Sequence, residues 1–264
     1  MENIYFITDL DRTIIHSKHK GYKCVEMMGE KEITYMTDSA YEKLMELLEH
    51  KNLKFIPCTM RNINQTLRVN FIKEYNPEII ICTNGAEIYI NGSLDLHWDK
   101  KMKSIVNHNE LLNNIKYLNN MKEKLKGKIN IIEVRNIENF YITVKCASSE
   151  DATKFYKEIK DSFSSEVKVI KIEAKIFIIN KKINKLKALD YIVDKYGIKH
   201  LITSGDSEVD KGFTTRGISI LPKHSSFKNE NSIITNDSNI KATEEILSEV
   251  EKIIFNVTEN VKIS

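Results

Sequence analysis

Short apolar runs alternate with amphipathic segments along most of this chain, and that alternation narrows the fold more than any other feature. The runs "IYFITDL" (4–10), "LKFIPCT" (53–59), "IIICTNG" (79–85), "HLITSGD" (200–206) and "GISILP" (217–222) read as strands. Between and after them lie helical patterns. "SAYEKLMELLEH" places Ser39 and Glu42 at capping-box spacing and puts Leu44, Leu47 and Leu48 on one face. "INKLKALDYIVDKYG" ends at Gly197, and "IKATEEILSEVEKIIF" presents Ile246, Val250, Ile253 and Ile254. Strands that are apolar on both faces, alternating with helices, predict an α/β fold with a parallel sheet covered on both sides. Residues 21–36 fit a hairpin turning at Gly29-Glu30.

The middle of the chain breaks the alternation. A helical pattern over 109–126 carries Leu111, Leu112, Ile115, Leu118 and Leu125, and strand-like runs follow near 129–135 and 139–146. A second helix near 149–163 carries Ala152, Phe155, Tyr156 and Ile159, followed by "EVKVIKI" and "AKIFIIN". Helix–strand–strand, repeated once, predicts an inserted α+β domain with an antiparallel sheet over 86–181. Residues 1–85 and 182–264 then form the parallel-sheet core.

In an open α/β sheet, ligands gather beyond the carboxyl ends of the strands. Three clusters of oxygen-bearing side chains fall at such ends: Asp9, Asp11 and Thr13 after the first strand, Thr59 after the second, and Asp206 with Asp210 after "HLITSG". Four carboxylates on one edge repel unless a cation lies among them. Hard oxygen donors without His or Cys suit Mg²⁺. The 40 basic and 37 acidic residues leave a net charge of +3, which argues for neither a nucleic-acid nor a membrane partner. The four cysteines include no C-x-x-C pair, so reduced thiols in a cytoplasmic protein are expected. No apolar run is long enough to span a bilayer.

"DLDRT" (9–13) resembles the D-x-D-x-T signature of the haloacid dehalogenase (HAD) superfamily, and "GDSEVD" (205–210) resembles its G-D-x-x-x-D signature. Thr59 and Lys185 sit where the two intervening signatures belong. The predicted αββαββ insertion is similar to the type IIB cap of Cof-like and sucrose-phosphatase-like hydrolases, and "TNGAEIY" (83–89) is similar to the segment that leads into such caps. The resemblance implies a Rossmann-like core with a cap domain, and a Mg²⁺-dependent phosphatase acting on a small phosphorylated metabolite, foremost a sugar phosphate. A phosphomutase and a catalytically weakened binding or regulatory module are the alternatives. A monomer or homodimer is expected.

The same resemblance implies roles for individual residues. Asp9 is the expected nucleophile, passing through an aspartyl-phosphate. Asp11 is the expected general acid, then base. Thr13 holds the loop after the first strand. Thr59 and Lys185 bind phosphoryl oxygens, and Met60, Arg61 and Asn84 join Thr13 among the substrate- and phosphate-binding positions. Mg²⁺ is expected on Asp9, Asp11 (through its carbonyl) and Asp206, with Asp210 close by. Three positions depart from the superfamily pattern. Arg12 replaces the usual Gly and is expected to point outward, Met60 replaces a Gly, and Val209 replaces an Asn that could serve the metal. His16 and His19 are expected to be exposed. Arg135, Asn136 and Asn139 are candidate cap residues for leaving-group recognition.

Overall fold

A computed structural model describes residues 3–17 and 19–263. The chain opens with β1 (Ile4–Thr8), the hairpin β2 (Lys23–Met28) and β3 (Lys31–Met36), helix α1 (Asp38–Leu48) and β4 (Leu53–Pro57). The short helices α2 (Ile63–Thr66) and α3 (Asn70–Tyr75) lead to β5 (Ile79–Cys82), β6 (Glu87–Ile90) and β7 (Ser93–Leu94). Then come α4 (Leu96–Lys103), α5 (His108–Lys124), β8 (Ile131–Ile137), β9 (Tyr141–Cys146), α6 (Ser149–Ile159), β10 (Val167–Ile172) and β11 (Lys175–Asn180). The chain ends with α7 (Lys185–Tyr196), β12 (His200–Ser204), β13 (Ile218–Leu221), β14 (Ile233–Ile234) and α8 (Ala242–Ile263). Two units result: Met1–Asp95 with Lys185–Ser264, and Leu96–Asn184.

The first unit is built on a sheet of order β14-β13-β12-β1-β4, with every pairing parallel. A parallel bridge from Cys58 to Ile81 adds β5 beside β4. β1 buries four of its five residues because both of its faces are covered. The Phe6 and Phe55 rings meet at a tilt of 55° with centroids 5.9 Å apart. They belong to a cluster that includes Leu44 and Leu47 of α1 and Ile246, Leu247 and Val250 of α8. The capping box expected at Ser39 does not form. Thr37 caps α1 instead, its hydroxyl accepting from the Ala40 N–H, because the helix begins at Asp38, two residues before a Ser39 cap would start it. β6 pairs with β5 and β7 pairs with β6, so residues 86–95 continue the first unit.

The second unit carries a four-stranded antiparallel sheet of order β10-β11-β9-β8, with α5 and α6 supplying apolar faces. Leu118, Ile142, Val144, Ala152, Phe155 and Ile176 are its buried centre. Leu112, expected on the buried side of α5, is 53% exposed, because only the Leu111–Leu118 stripe faces the sheet. Among the described residues no helix is long and apolar enough to cross a membrane.

Phe155 is fully buried, so Phe155→Ala removes a ring from a packed core and leaves a cavity. The expected cost is about 3–5 kcal/mol in urea unfolding followed by circular dichroism. A loss below about 1 kcal/mol would mean that this core collapses around the gap, and would count against the packing described here.

Candidate active site

The strand order reverses direction between β1 and β12: the chain goes from β1 to β4 on one side and later returns to β12 on the other. Such a switch point opens a crevice at the carboxyl ends of the two strands. Asp9 follows β1 there, its N–H donating to Ser204 O at 2.9 Å, and Asp206 follows β12 two residues beyond Ser204. The Cys58 N–H donates to Thr8 O at 2.8 Å, which brings Thr59 to the same edge. The turn after Thr59 is fixed from beneath. The Thr83 N–H donates to Arg61 O at 2.8 Å and the Asn84 N–H to Thr59 O at 3.0 Å, with Asn84 in the left-handed region at φ 57°.

Lys185, the first residue of α7, is fully buried. Its Nζ donates to Asp9 Oδ1 and to Asp210 Oδ1, both at 2.6 Å. The other oxygen of Asp210 accepts from the Ser207 N–H at 2.9 Å and the Ser207 hydroxyl at 2.6 Å. Gly205 allows this approach, because a Cβ there would stand 2.5 Å from Asp210 Cβ. One oxygen each from Asp9, Asp206 and Asp210 lie within 4.8 Å of one another, and all three residues are buried. Val209 therefore does not displace Asp210 from the cluster.

Crowding of buried carboxylates shows in their acidities. Burial raises Asp9 well above its usual range; Lys185 pulls it down, while Asp210, Asp206 and Asp11 push it up again. Burial and Asp210 push Asp206 up to about 7 against the pull of Arg12 and Lys185. Burial works against the Lys185 ammonium, but Asp210 and Asp9 outweigh it and raise its pKa. The cluster calls for positive charge.

Three arginines meet acids around the cluster. Arg61 forks onto Asp11, with Nε to Oδ2 and Nη2 to Oδ1, both at 2.7 Å. Its Nη1 reaches Glu26 Oε2 at 2.8 Å. Glu26, on β2, is fully buried and takes Arg68 on its other oxygen at 2.9 Å and the Thr34 hydroxyl at 3.1 Å. Arg12, expected to point outward, instead lays its Nε 3.1 Å from Asp206 Oδ2, because that buried carboxylate needs a counter-charge.

The loop after β1 has its own supports. His16, expected to be exposed, is buried, and its ring Nε2 lies 2.9 Å from the Thr243 hydroxyl. That hydroxyl donates to Thr13 O at 2.9 Å, so His16 Nε2 must carry a proton and donate. Burial first, then His19 and His224, lower the His16 pKa to about 3. His224 Nδ1 accepts from the Asn239 N–H, so its Nε2–H donates to Arg12 O at 2.9 Å. Thr13 is fully buried, and its N–H donates to Leu10 O at 3.2 Å. Met60 is half-buried in the turn beyond Thr59. Arg135 is occupied by Glu133 at 2.6 Å, and Asn136 donates to Asn139 at 2.7 Å. Sequence reasoning missed Glu26, Arg68, His224 and Thr243. Each acts through a partner far away in the chain, and none lies in a recognisable local pattern.

A sequence model of sucrose-6F-phosphate phosphohydrolase matches residues 2–226. The chain belongs to this family. It is a phosphatase of the HAD superfamily. No curated protein sequence matches it. Among solved structures, the Synechocystis sp. PCC6803 sucrose-phosphatase, determined with sucrose and phosphate, is similar at 16% identity and a TM-score of 0.61, covering 95% of this chain and 99% of that one. A haloacid dehalogenase-like hydrolase from Bacteroides thetaiotaomicron is similar at 14% identity and TM-score 0.59, covering 94% and 100%. An HAD subclass IIB sugar phosphatase, BT4131, is similar at 16% identity and TM-score 0.58, covering 96% and 99%. At these identities the structures show that the family fold is shared.

Glu26 holds two guanidinium groups, one of them nearly buried, so Glu26→Gln strands positive charge inside the protein. A loss of about 2–3 kcal/mol in chemical denaturation is expected, and no loss would mean that Arg61 is held by Asp11 alone. The His16 ring is neutral in the fold and basic when unfolded, so the folded state binds fewer protons between its folded pKa of about 3 and the ordinary 6.5. Its contribution is complete above that window and is lost as pH falls through it. Between pH 7 and pH 5, the wild type is expected to lose about 2 kcal/mol more than His16→Gln does, and parallel stability curves would refute a buried neutral ring.

Proposed function

We propose that the site hydrolyses a phosphate monoester of a sugar with Mg²⁺ as cofactor, in two displacements through an aspartyl-phosphate on Asp9. One observation carries the reading: a buried lysine bridges Asp9 and Asp210, with Asp206 beside them, at the switch point of a sheet in a chain of this family. The donor set fits Mg²⁺. It is all carboxylate oxygen, it is confined within 4.8 Å, and the buried Oδ2 of Asp206 receives no hydrogen bond. Asp9, Asp206 and Asp210 would hold the ion, with the Asp11 carbonyl as the further expected ligand. When bound, it would neutralise charge on the cluster and on the phosphoryl group.

In the first displacement an Asp9 carboxylate oxygen attacks phosphorus, and the bond from phosphorus to the sugar oxygen breaks. The leaving oxygen takes a proton from Asp11. In the second, water attacks the aspartyl-phosphate, Asp11 takes the water's proton, and inorganic phosphate leaves with Asp9 restored. The Lys185 ammonium favours the ionised form of Asp9 against the burial that raises its pKa. The fork from Arg61 suits ionised Asp11, the form needed as base; to act as acid, Asp11 must take a proton and release one of those N–H donors. Thr59, through its hydroxyl, and Lys185, through its charge, would meet the developing charge on the phosphoryl oxygens. Catalysis of this kind rests on in-line aim and charge compensation. We read the Leu96–Asn184 unit as the cap that selects the leaving group, and the sugar assignment rests on the family.

Phosphate release from p-nitrophenyl phosphate and from a panel of sugar phosphates, sucrose 6F-phosphate included, tests the proposal. The wild type is expected to turn over at least one sugar phosphate in Mg²⁺ and to lose activity in chelator. Asp9→Asn is expected to fall by about 10⁴-fold or more. Equal rates for wild type and Asp9→Asn would end the phosphatase reading of this site.

A further inference from the structure

Arg12 stands where the superfamily pattern has glycine, and its backbone keeps the conformation that glycine favours, with φ at 66°. A side chain at such an angle is strained, and it persists only where its surroundings hold it. Here three contacts do so. The Arg12 N–H donates to Ile15 O at 2.7 Å, the Arg12 carbonyl receives His224 Nε2 at 2.9 Å, and the guanidinium lies on Asp206. The last contact is unusual. Nε is 3.1 Å from Asp206 Oδ2, yet that buried oxygen accepts no hydrogen bond in the structure. The guanidinium thus supplies charge without the aligned donor geometry that makes arginine–carboxylate pairs strong.

The surrounding charges explain why a cation sits there. Lys185 serves Asp9 and Asp210, and its hydrogen bonds to carboxylates go to those two. Asp206, 2% exposed, takes Arg12 as its nearest cation, with His224 Nε2 4.0 Å away and engaged with Arg12 O. The Arg12 side chain is 33% exposed, so it has room to leave toward solvent.

We infer that Arg12 is a tethered counter-ion that neutralises Asp206 until a divalent cation replaces it. The ion and the guanidinium compete for one carboxylate. The inference rests on the metal site proposed above and goes beyond it: this chain tunes its own affinity for the ion through a residue that the superfamily pattern leaves as glycine. Arg12 is therefore a charge-compensating residue, distinct from the residues that make or break bonds.

Binding of Mg²⁺ alone, measured calorimetrically on the full chain without substrate, tests it. Three variants divide the possibilities. Arg12→Asn removes the charge with a residue that tolerates this backbone angle, Arg12→Gly removes both charge and strain, and Arg12→Lys keeps a charge. Asn and Gly are expected to bind Mg²⁺ about tenfold more tightly than wild type, and Lys to stay within about threefold of it. In chelator, Arg12→Asn is expected to melt below wild type, with Mg²⁺ closing the gap. That signature separates charge compensation from simple loss of packing, which Mg²⁺ would not restore. Equal affinities across wild type, Asn and Gly would overturn the inference and leave the metal site standing. If no variant and no wild type bound Mg²⁺, both would fall.

Discussion

The Lys185 ammonium, closed on both sides by carboxylates and sealed from water, is the constraint around which the first unit is organised. A lysine is seldom fully buried unless paired, because an unpaired ammonium in such a place is costly. Two short contacts to Asp9 and Asp210 satisfy it, and each ties a different part of the chain. Asp9 comes from the end of β1, Lys185 from the first turn of α7, and Asp210 from the turn after β12. Remove Lys185 and two like charges are left facing each other in a buried crevice; remove either aspartate and the ammonium keeps one carboxylate of two. The same pairing gives Asp9 a fixed position and a cation beside it, which is what the proposed nucleophile would require.

Charge compensation extends outward in the same manner. Glu26 anchors Arg61 and Arg68, Arg61 forks onto Asp11, and Arg12 answers Asp206. The acids that the chemistry would use are each held by a positive group of matched geometry, apart from Asp206, whose partner is charged but poorly aligned. That exception falls at the carboxylate most suited to exchanging its partner.

Much of this was legible in the sequence, for reasons that can be named. The strands of the parallel sheet are apolar on both faces and short, so β1, β4, β5, β12 and β13 announce themselves. The carboxylates stand at strand ends, where sheet geometry brings them together whatever the details of packing. The repeated helix–strand–strand order gave the second sheet. What escaped was set by long-range contact. Thr37 rather than Ser39 caps α1 because the start of the helix is fixed by how β3 ends. His16 is buried because α8 brings Thr243 against it, more than two hundred residues later. Glu26 reads as one acid among several on a hairpin until Arg61 and Arg68 arrive beside it. Arg12 was expected to face solvent because its neighbours in sequence give no hint that Asp206 lies within reach.

The central strand of the first unit, β1, precedes the Leu96–Asn184 stretch, yet one of its two partners, β12, and the lysine 176 positions beyond Asp9 follow that stretch. The Leu96–Asn184 stretch, in contrast, is continuous and pairs its strands only among themselves. On the ribosome the two would mature in opposite order to their first residues: the inserted stretch can close its own sheet while the N-terminal segment still waits for half of its neighbours. During that wait the edge of β1 that later takes β12 is unpaired, an aggregation-prone state that lasts until the second half of the sheet arrives.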